Sequence, residues 1–373
     1  MSKVFSSSFF VTIVYQIEEK FPLCCFYNRG EGEKKMITVA YVGFGVSVRE
    51  YHIPYVEKRE NIKVKYVFRR EEDIPAFKEY EPFYPEIIFT TDFDAVLKDE
   101  EVDLVVVSAP DQFHVPYAKQ ILNAGKHALI EKPFAATSKQ AKEVFDLAKK
   151  KHLICMPNQN RRFDADFLAV KEVLASGKLG ELVRLESHYD YFKTNGWYDH
   201  LGTLYNLGVH TIDQVISLLG MPDRVNLDVR SIHHPGVGDD YYDLEFFYGN
   251  SKASVNTSMC VLIDYPRFTL HGTNGSLTLP SVIHNSGKKK VVGRHKVSFD
   301  PAPLDRWGTL VYMKEGVKVT EKVPVGCAHY ERIYESLIDA IENGAEKCVK
   351  DEEVIKVLEI LEEATEVAKS WKK

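Results

Sequence analysis

Residues 37–45 read ITVAYVGFG. The β-branched and aromatic run Ile37–Val42 is typical of a buried strand. It leads into a turn at Gly43 and Gly45, after which a helix is predicted over Val48–Glu57. Glycine at the first position permits a tight turn, and glycine at the second lets the backbone approach a pyrophosphate at the positive end of the helix. The stretch therefore predicts the first βα unit of a dinucleotide-binding fold.

The third glycine of the dinucleotide fingerprint is absent, because Val48 occupies its position. Gly-x-Gly alone is a weak signal, and a plain strand-turn-helix connection is an open alternative. The order of strand, turn and helix favours the cofactor-binding interpretation.

Strands and helices alternate after this turn. The predicted strands are Ile62–Phe68, Val102–Ser108, His127–Ile130 and Leu153–Met156. The predicted helices are Thr91–Lys98 with Asp92 as its N-cap, Val115–Ala124 and Ser138–Lys151. This spacing is typical of βαβ units around a parallel sheet. We expect a Rossmann-type dinucleotide-binding domain over residues 36–157.

The pattern changes after residue 157. Helices are predicted over Asp166–Ser176, Val209–Leu219, Tyr330–Asn343 and Asp351–Lys369, a strand over Val183–Tyr191, and a succession of strands from Arg224 to Leu279. We expect an α/β protein in which the Rossmann-type domain is followed by an α+β domain, residues 158–373, with a large, mostly antiparallel open sheet. This second domain would bind substrate and mediate oligomerisation, and its C-terminal helix would pack back on the first domain.

Residues 1–35 are predicted to be an extension that is not part of the fold. The apolar run Phe9–Tyr15 (FFVTIVY) resembles a weak signal peptide, but no small-residue cleavage site precedes Glu18–Glu19. The polar stretch Asn28–Lys35 then leads to Met36, where we expect the natural start.

The composition argues against several classes of protein. The 48 Lys and Arg against 54 Asp and Glu give a net charge of -6, which leaves no basic surplus for nucleic acid. No run approaches the roughly 20 apolar residues of a membrane helix. The six cysteines form neither a CxxC pair nor a Cys/His cluster. We therefore expect reduced thiols, no metal site, and a cytoplasmic protein without nucleic-acid or membrane partners.

The two residues after the second predicted strand bear on cofactor choice. Arg69 and Arg70 stand where NAD-preferring folds usually have an acidic residue for the ribose 2′-hydroxyl. A guanidinium suits a 2′-phosphate. We expect NADP, with NAD possible; the alternative is a solvated charge pair balanced by Glu71 and Glu72.

Glu131, Lys132 and Pro133 follow the predicted strand His127–Ile130, at the sheet edge where ligands bind in such folds. A lysine there can donate a hydrogen bond or a proton to a substrate oxygen. Taken alone, a Glu-Lys-Pro triplet is also an ordinary surface turn.

Further motifs stand in a fixed order along the chain. They are ITVAYVGFG after Met36, Ala109-Pro110 with His114, Glu131-Lys132-Pro133-Phe134, NQNRRFD at 158–164, LGEL at 179–182, ESHYD at 186–190 and NLGVHTIDQ at 206–214. Together they resemble the Gfo/Idh/MocA oxidoreductase family, and the later ones resemble its branch of NADP-dependent scyllo-inositol dehydrogenases. The resemblance extends from Met36 to the C-terminus.

The resemblance implies an NAD(P)-dependent dehydrogenase or reductase that acts on CH–OH groups of a sugar or cyclic polyol, as a homodimer or homotetramer. The expected cofactor contacts are Gly43, Phe44, Gly45, Arg69, Arg70, Ser108, Pro110, His114, Glu131, Lys132 and Arg162. Substrate contacts are expected at Asp190, Asn206 and His210, and catalytic roles at Lys132, His210 and Asn206.

Asn206 and His210 are four residues apart, so they would share one helix face if the helix has begun by Asn206. The family commonly has Asp-x-Gly-x-His here, so Asn206 departs from the pattern and puts an Asp-His relay in doubt. The amide can still orient a hydroxyl. Two assignments stay open. Either His210 takes the hydroxyl proton while Lys132 positions the oxygen and stabilises negative charge, or Lys132 is the acid-base and His210 orients the substrate; the resemblance leans towards the second.

Two other functions stay open as well. Asn206 and Val48 favour an NADP-binding sensor or regulator without catalysis, which turnover of any polyol would exclude. A redox-neutral sugar-modifying enzyme on the same scaffold is the second, because fold does not fix function.

Overall fold

The computed structural model describes residues 35–193, 202–233, 235, 237–281 and 292–370. Apart from Lys35, the predicted N-terminal extension lies outside the described residues. From Met36 onwards, the described residues form one compact unit that contains two sheets. The predicted domain boundary after residue 157 stays a prediction.

The first sheet is parallel, as predicted. Within the described residues its strands are β1 (Ile37–Val42), β2 (Ile62–Phe68), β3 (Ile88–Thr90), β4 (Leu104–Val107), β5 (His127–Ile130) and β6 (Cys155–Pro157). They lie in the order β3-β2-β1-β4-β5-β6. Every residue of β1 and β4 is buried, which accounts for their unbroken apolar sequences. The sequence pattern missed β3, a three-residue edge strand.

Helices connect these strands. They are α1 (Ile53–Val56), α2 (Ile74–Phe77), α3 (Phe93–Lys98), α4 (His114–Asn123) and α5 (Ser138–Lys150). Asp92 caps α3 as predicted, because its Oδ1 accepts a hydrogen bond from the Ala95 amide at 2.9 Å.

The helix after Gly45 differs from the prediction. The pattern predicts one regular helix over Val48–Glu57, whereas the chain forms a π-helical segment, Ser47–His52, followed by the single turn of α1. Pro54 has no amide hydrogen to continue the hydrogen-bond series, which accounts for a change of helix type at this point. His52, the last residue of the π-helical segment, is fully buried.

The second sheet is mostly antiparallel, which confirms the predicted class. In the described ranges its strands are β7 (Leu182–His188), β8 (Arg224–Arg230), β9 (Tyr241–Tyr248), β10 (Ser251–Ser258), β11 (Phe268–Gly272), β12 (Gly275–Leu279), β13 (Gly308–Lys314) and β14 (Val317–Val323). They lie in the order β14-β13-β12-β11-β7-β10-β9-β8. Only the β7–β10 pair is parallel among the pairs of this described sheet.

The helices after residue 157 are α6 (Ala165–Ala175), α7 (Val209–Leu219), α8 (Glu331–Asn343) and α9 (Asp351–Ser370), and a second π-helical segment, Leu204–Gly208, leads into α7. Helices α7 and α9 contact β10 and β8 of the second sheet, whereas α8 contacts α1 beside the first sheet. Tyr242, Leu244 and Phe246 alternate along β9 and are buried. The C-terminal helix α9 contacts α5, α7 and β8, and Ser138 Oγ donates to Glu362 at 2.8 Å. This helix thus joins the elements around both sheets.

Candidate active site

A cavity of about 470 Å3 lies at the carboxyl ends of β1, β4 and β5, where ligands bind in parallel α/β sheets. Its lining residues are Gly45, Val46, Ser47, Tyr51, Ser108, Ala109, Pro110, Glu131, Lys132, Asn160, Arg161, Asn206, Leu207 and His210. Both halves of the chain contribute to this lining. Seven residues predicted for the site meet here: Gly45, Ser108, Pro110, Glu131, Lys132, Asn206 and His210.

The two glycines after β1 have different structural roles. Gly43 has φ +97°, and a Cβ there would lie 2.4 Å from the Ser108 carbonyl oxygen. A Cβ on Gly45 would meet no atom within 4 Å. Gly43 is therefore required by the turn itself, whereas Gly45 leaves open space at the cavity beside the start of a helical segment. That space fits the pyrophosphate of a dinucleotide.

This difference yields a prediction for two alanine variants. Gly43→Ala is expected to destabilise the fold by about 1–3 kcal/mol or more, because it combines a positive φ with a backbone clash. Gly45→Ala is expected to unfold at nearly the wild-type denaturant concentration but to bind NADPH at least about tenfold more weakly, because its methyl group occupies the cradle. Urea unfolding and NADPH fluorescence titration measure the two effects. Equal unfolding midpoints for the two variants would contradict the assignment.

Lys132 lies at the end of β5 and reaches the π-helical segment that precedes α7. Its Nζ donates to the Asn206 carbonyl oxygen at 3.2 Å. The Asn206 side chain in turn donates from Nδ2 to the Gly202 carbonyl oxygen at 2.7 Å. Lys132 and Asn206 are thus held against each other on the cavity wall.

Glu131 is buried behind Lys132 and accepts hydrogen bonds from several donors. Its Oε1 accepts from Ser47 Oγ at 2.5 Å, His52 Nε2 at 2.7 Å and Asn158 Nδ2 at 2.9 Å. Burial raises the pKa of Glu131, but the hydrogen bond and the charge of His52, together with the hydrogen bonds of Ser47 and Asn158, outweigh it and lower the pKa to about 2. The ionised carboxylate therefore anchors the turn that carries Lys132.

The hydrogen-bond chain continues from Glu131 into the core. His52 Nδ1 lies 2.6 Å from the Tyr334 hydroxyl, which lies 2.9 Å from the Tyr41 hydroxyl. An ionised carboxylate can only accept, so His52 Nε2 donates to Glu131. This series of hydrogen bonds ties α8 to the back of the cavity, and no sequence pattern indicated it.

His210 lies in the first turn of α7 and lines the cavity while being only 6% exposed. Its Nδ1 has no hydrogen-bond partner among the described residues. Burial, together with the positive charges of Arg161, Lys132 and Arg267, lowers the pKa of His210 well below its ordinary value of 6.5. The imidazole is therefore neutral near pH 7 and able to accept a proton.

Two predicted cofactor contacts support the cavity without lining it. His114 is buried, with Nδ1 2.7 Å from the Pro133 carbonyl oxygen and Nε2 2.9 Å from that of Ala109. It therefore bridges the two loops that follow β4 and β5. The Phe44 ring is fully buried and packs edge-on against Tyr84 and Phe89.

Two further predicted residues also point elsewhere. Asp190 lies 3.1 Å from His188 Nδ1 and accepts from the Ser258 amide at 2.9 Å, away from the cavity lining. Arg162 is 4% exposed and forms a bidentate pair with Asp213 at 2.6 and 2.8 Å. Its Nη2 also lies 2.8 Å from Glu353. Arg162 therefore joins α7 to α9 through buried charges.

Replacing Arg162 by methionine is expected to lower the free energy of unfolding by about 3–5 kcal/mol, because Asp213 and Glu353 would lose their buried counter-charge. Urea unfolding followed by circular dichroism measures the loss. The control is Lys119→Met, which breaks the exposed pair Lys119–Glu143 and should hardly move the midpoint. Equal midpoints for both variants would contradict a structural role for Arg162.

The structure also places residues at the cavity that the sequence analysis did not single out. They are Val46, Ser47, Tyr51, Asn160, Arg161 and Leu207. Arg161 neighbours the predicted Arg162 in the one-turn helix Asn160–Phe163. Adjacent residues in such a turn point in different directions, so the motif NQNRRFD indicates the segment but not which arginine faces the cavity.

Neither a membrane helix nor a metal cluster is found in the described ranges. No helix there is both long and apolar enough to cross a bilayer. No group of three or more His, Cys, Asp or Glu side chains there is arranged to hold a metal ion.

Comparison with known proteins finds relatives over most of the chain. A model of the Gfo/Idh/MocA oxidoreductase family, NAD-binding Rossmann fold, matches residues 37–159, and a model of that family's C-terminal α/β domain matches residues 171–373. The chain is 43% identical to the uncharacterized oxidoreductase YhhX of Escherichia coli, over 89% of this chain and 97% of that protein.

Two more relatives extend the comparison. An oxidoreductase from Bacillus cereus, known from a crystal structure, superposes with a TM-score of 0.79 at 37% identity, over 88% of this chain and 95% of that one. The chain is 26% identical to the scyllo-inositol 2-dehydrogenase (NADP(+)) IolW of Bacillus subtilis, over 91% of this chain and 96% of that protein. The parallel sheet, the glycine turn and these matches agree: the chain belongs to the Gfo/Idh/MocA family of NAD(P)-binding oxidoreductases.

Proposed function

We propose that the chain transfers a hydride between NADP and a hydroxyl-bearing carbon of a sugar or cyclic polyol. The observation that carries the proposal is the cavity in which Lys132, Asn206 and His210 face the space left by Gly45. The name of the Bacillus subtilis relative, a scyllo-inositol 2-dehydrogenase that uses NADP(+), supports a polyol substrate. A lysine, an amide and a neutral imidazole are side chains suited to binding and deprotonating a hydroxyl.

When bound, the nicotinamide supplies or accepts the hydride. Gly45 and the start of the Ser47–His52 segment would hold its pyrophosphate. During oxidation His210 accepts the proton of the substrate hydroxyl, since it is neutral and lines the cavity. Lys132 donates a hydrogen bond to the same oxygen and stabilises its developing negative charge. Asn206 orients a neighbouring hydroxyl through its amide.

The direct test is the absorbance of reduced nicotinamide with purified protein. NADP and NAD are supplied in turn with a panel of inositols, aldoses and their keto forms. We expect reduction of NADP by at least one polyol or sugar. Tight NADPH binding by fluorescence with no turnover across the panel would instead favour the sensor or regulator.

Preference for NADP is proposed to depend on Arg70 more than on Arg69. Arg69 donates to Glu81 at 2.8 Å, and its side chain is 10% exposed. Arg70 is 30% exposed, donates to Asp73 at 2.8 and 3.0 Å, and its guanidinium lies 4.9 Å from the centre of the Phe113 ring. Arg70 therefore has the more accessible guanidinium for a 2′-phosphate.

We expect Arg70→Ser to raise KM for NADP about tenfold while changing KM for NAD much less, because only NADP carries the 2′-phosphate. Steady-state kinetics with both cofactors measures the ratio. The control is Arg70→Lys, which keeps the charge and should lie between wild type and the serine variant. If the ratio of KM for NADP to KM for NAD is unchanged in Arg70→Ser, then Arg70 serves only its ion pair with Asp73 and does not bind the 2′-phosphate.

We further propose a cytoplasmic homodimer or homotetramer that assembles through the sheet face not covered by helices. The four cysteines in the described ranges, Cys155, Cys260, Cys327 and Cys348, are all free thiols, which supports a reducing compartment. Light scattering of the purified protein measures the assembly, and a monomer at all concentrations would contradict it.

A further inference from the structure

Positive charges outnumber negative charges among the described residues that line the cavity. Lys132 and Arg161 contribute two cations, whereas Glu131 is the single carboxylate among the described lining residues. Asn206 adds only a neutral amide at the position where the family pattern has a carboxylate. His210 is neutral near pH 7 because its pKa is lowered by burial and by the surrounding cations.

Glu131 offers little to an incoming ligand. Ser47, His52 and Asn158 all donate to its Oε1, and the Lys132 amide donates to its Oε2 at 3.1 Å. Its negative charge is therefore directed at the protein rather than at the cavity. A ligand in the cavity meets cationic and neutral donors.

The Arg161 guanidinium is held in place by its neighbours but still has N–H donors available. Its Nη1 donates to Asp164 Oδ2 at 3.2 Å, and its guanidinium lies 5.0 Å from the centre of the Tyr189 ring. Asp164 is shared, because the Tyr330 hydroxyl donates to its Oδ1 at 2.6 Å. No other hydrogen bond from this guanidinium is formed within the described ranges. Its side chain is 29% exposed at the cavity, so the remaining N–H groups are available to a ligand.

A guanidinium held on one side by a carboxylate and an aromatic ring presents its free donors as a planar fork. Such a fork matches the two oxygens of a carboxylate or a phosphate in a bidentate contact. Arg161 lies beside α7, because Gln214 Nε2, one turn after His210 on that helix, donates to the Arg161 carbonyl oxygen at 2.8 Å. Arg161 and His210 both line the cavity, on the side proposed for substrate.

We propose that the substrate carries an anionic oxygen group, a carboxylate or a phosphate monoester, that binds Arg161. This inference rests on the proposed sugar or polyol oxidation and adds a substrate class to it. The preferred substrates are then sugar acids or sugar phosphates rather than neutral inositols or aldoses. Arg161 is the residue that determines this specificity, while Lys132 and His210 act at the reacting carbon.

The test compares matched substrates with NADP and full-length protein. D-glucose, D-glucuronate and D-glucose 6-phosphate share a ring and differ in charge, and the acid and phosphate arms distinguish the two anionic groups. The enzymes are wild type, Arg161→Gln and Arg161→Lys, and the readout is the ratio of kcat/KM for the anionic to the neutral substrate. Loss of Arg161 would also change the basicity of His210, but this change would affect every substrate alike. It therefore cancels in the ratio of kcat/KM for two substrates.

Wild type is expected to prefer one anionic substrate at least about tenfold, and Arg161→Gln to lower that ratio by about 10- to 100-fold, in line with a charge-assisted contact. Arg161→Lys should retain part of the preference. A neutral substrate used as well as both anions, or a ratio unchanged in Arg161→Gln, would overturn the inference while leaving the proposed oxidation intact.

If none of the three is oxidised, calorimetric titration of D-glucuronate and D-glucose 6-phosphate into the NADPH-bound protein decides the question. Binding that Arg161→Gln weakens would support the anion site although the oxidation had failed. Absence of binding by both anions would overturn the site as well.

Discussion

Lys132→Ala is expected to lower kcat for alcohol oxidation by about a thousandfold. The Lys132 Nζ is held on the cavity wall at 3.2 Å from the Asn206 carbonyl oxygen, where alanine leaves no donor. The substrate oxygen would lose the hydrogen bond from Lys132. It would also lose the positive charge that stabilises the negative charge developing on it in the transition state. Single-turnover formation of NADPH measures the chemical step separately from product release.

The matched control is Lys132→Arg, which retains a cation in the same place and should recover part of the rate. Both variants should unfold at the wild-type urea concentration, because Glu131 rather than Lys132 anchors the turn. A Lys132→Ala enzyme within tenfold of wild type would remove Lys132 from the proposed chemistry.

The second large effect is expected at His210, in the pH dependence of kcat for oxidation. Burial and neighbouring cations hold the pKa of His210 well below 6.5, so the imidazole stays neutral through the neutral range. Oxidation needs the neutral base, so kcat should fall as pH decreases through that lowered pKa. We therefore expect a rate that is level above pH 6.5 and declines only at clearly lower pH, measured as kcat for oxidation at constant ionic strength.

Replacing His210 by asparagine should abolish this acidic decline and lower kcat by about 10²- to 10⁴-fold. The variant keeps a hydrogen-bonding side chain at the cavity, so NADPH affinity is its control. If kcat instead rises only above neutral pH, and this pH dependence persists in His210→Asn, then Lys132 is the base that accepts the hydroxyl proton. This is the assignment towards which the family resemblance leans.

The arrangement of the fold follows from local patterns in this sequence. The run Ile37–Val42 is wholly apolar because both faces of β1 are buried, and Gly43 is required because the Ser108 carbonyl lies where a Cβ would be. The placement of Lys132 after β5 follows from the same reasoning, since parallel strands end at a common edge. These features depend on residues close in sequence or on one repeated pattern.

Other features depend on contacts between distant residues. His52 and Tyr334 are far apart in the chain, and nothing near either residue signals their 2.6 Å contact. Arg161 and Arg162 are neighbours in one motif, yet one faces the cavity and the other a buried carboxylate. Only the position of α7, which brings Asp213 to Arg162, separates their roles. The π-helical turns before α1 and α7 likewise departed from the regular helical period on which the prediction rested.

The proposed function requires direct hydride transfer between the substrate carbon and the nicotinamide. The most direct measurement uses the best substrate of the panel with deuterium at the oxidised carbon and quantifies labelled NADPH and carbonyl product by mass spectrometry. We expect one deuterium in each NADPH and equal amounts of NADPH and carbonyl product. Product formed without net NADPH would contradict hydride transfer to the cofactor and identify a redox-neutral enzyme on this scaffold.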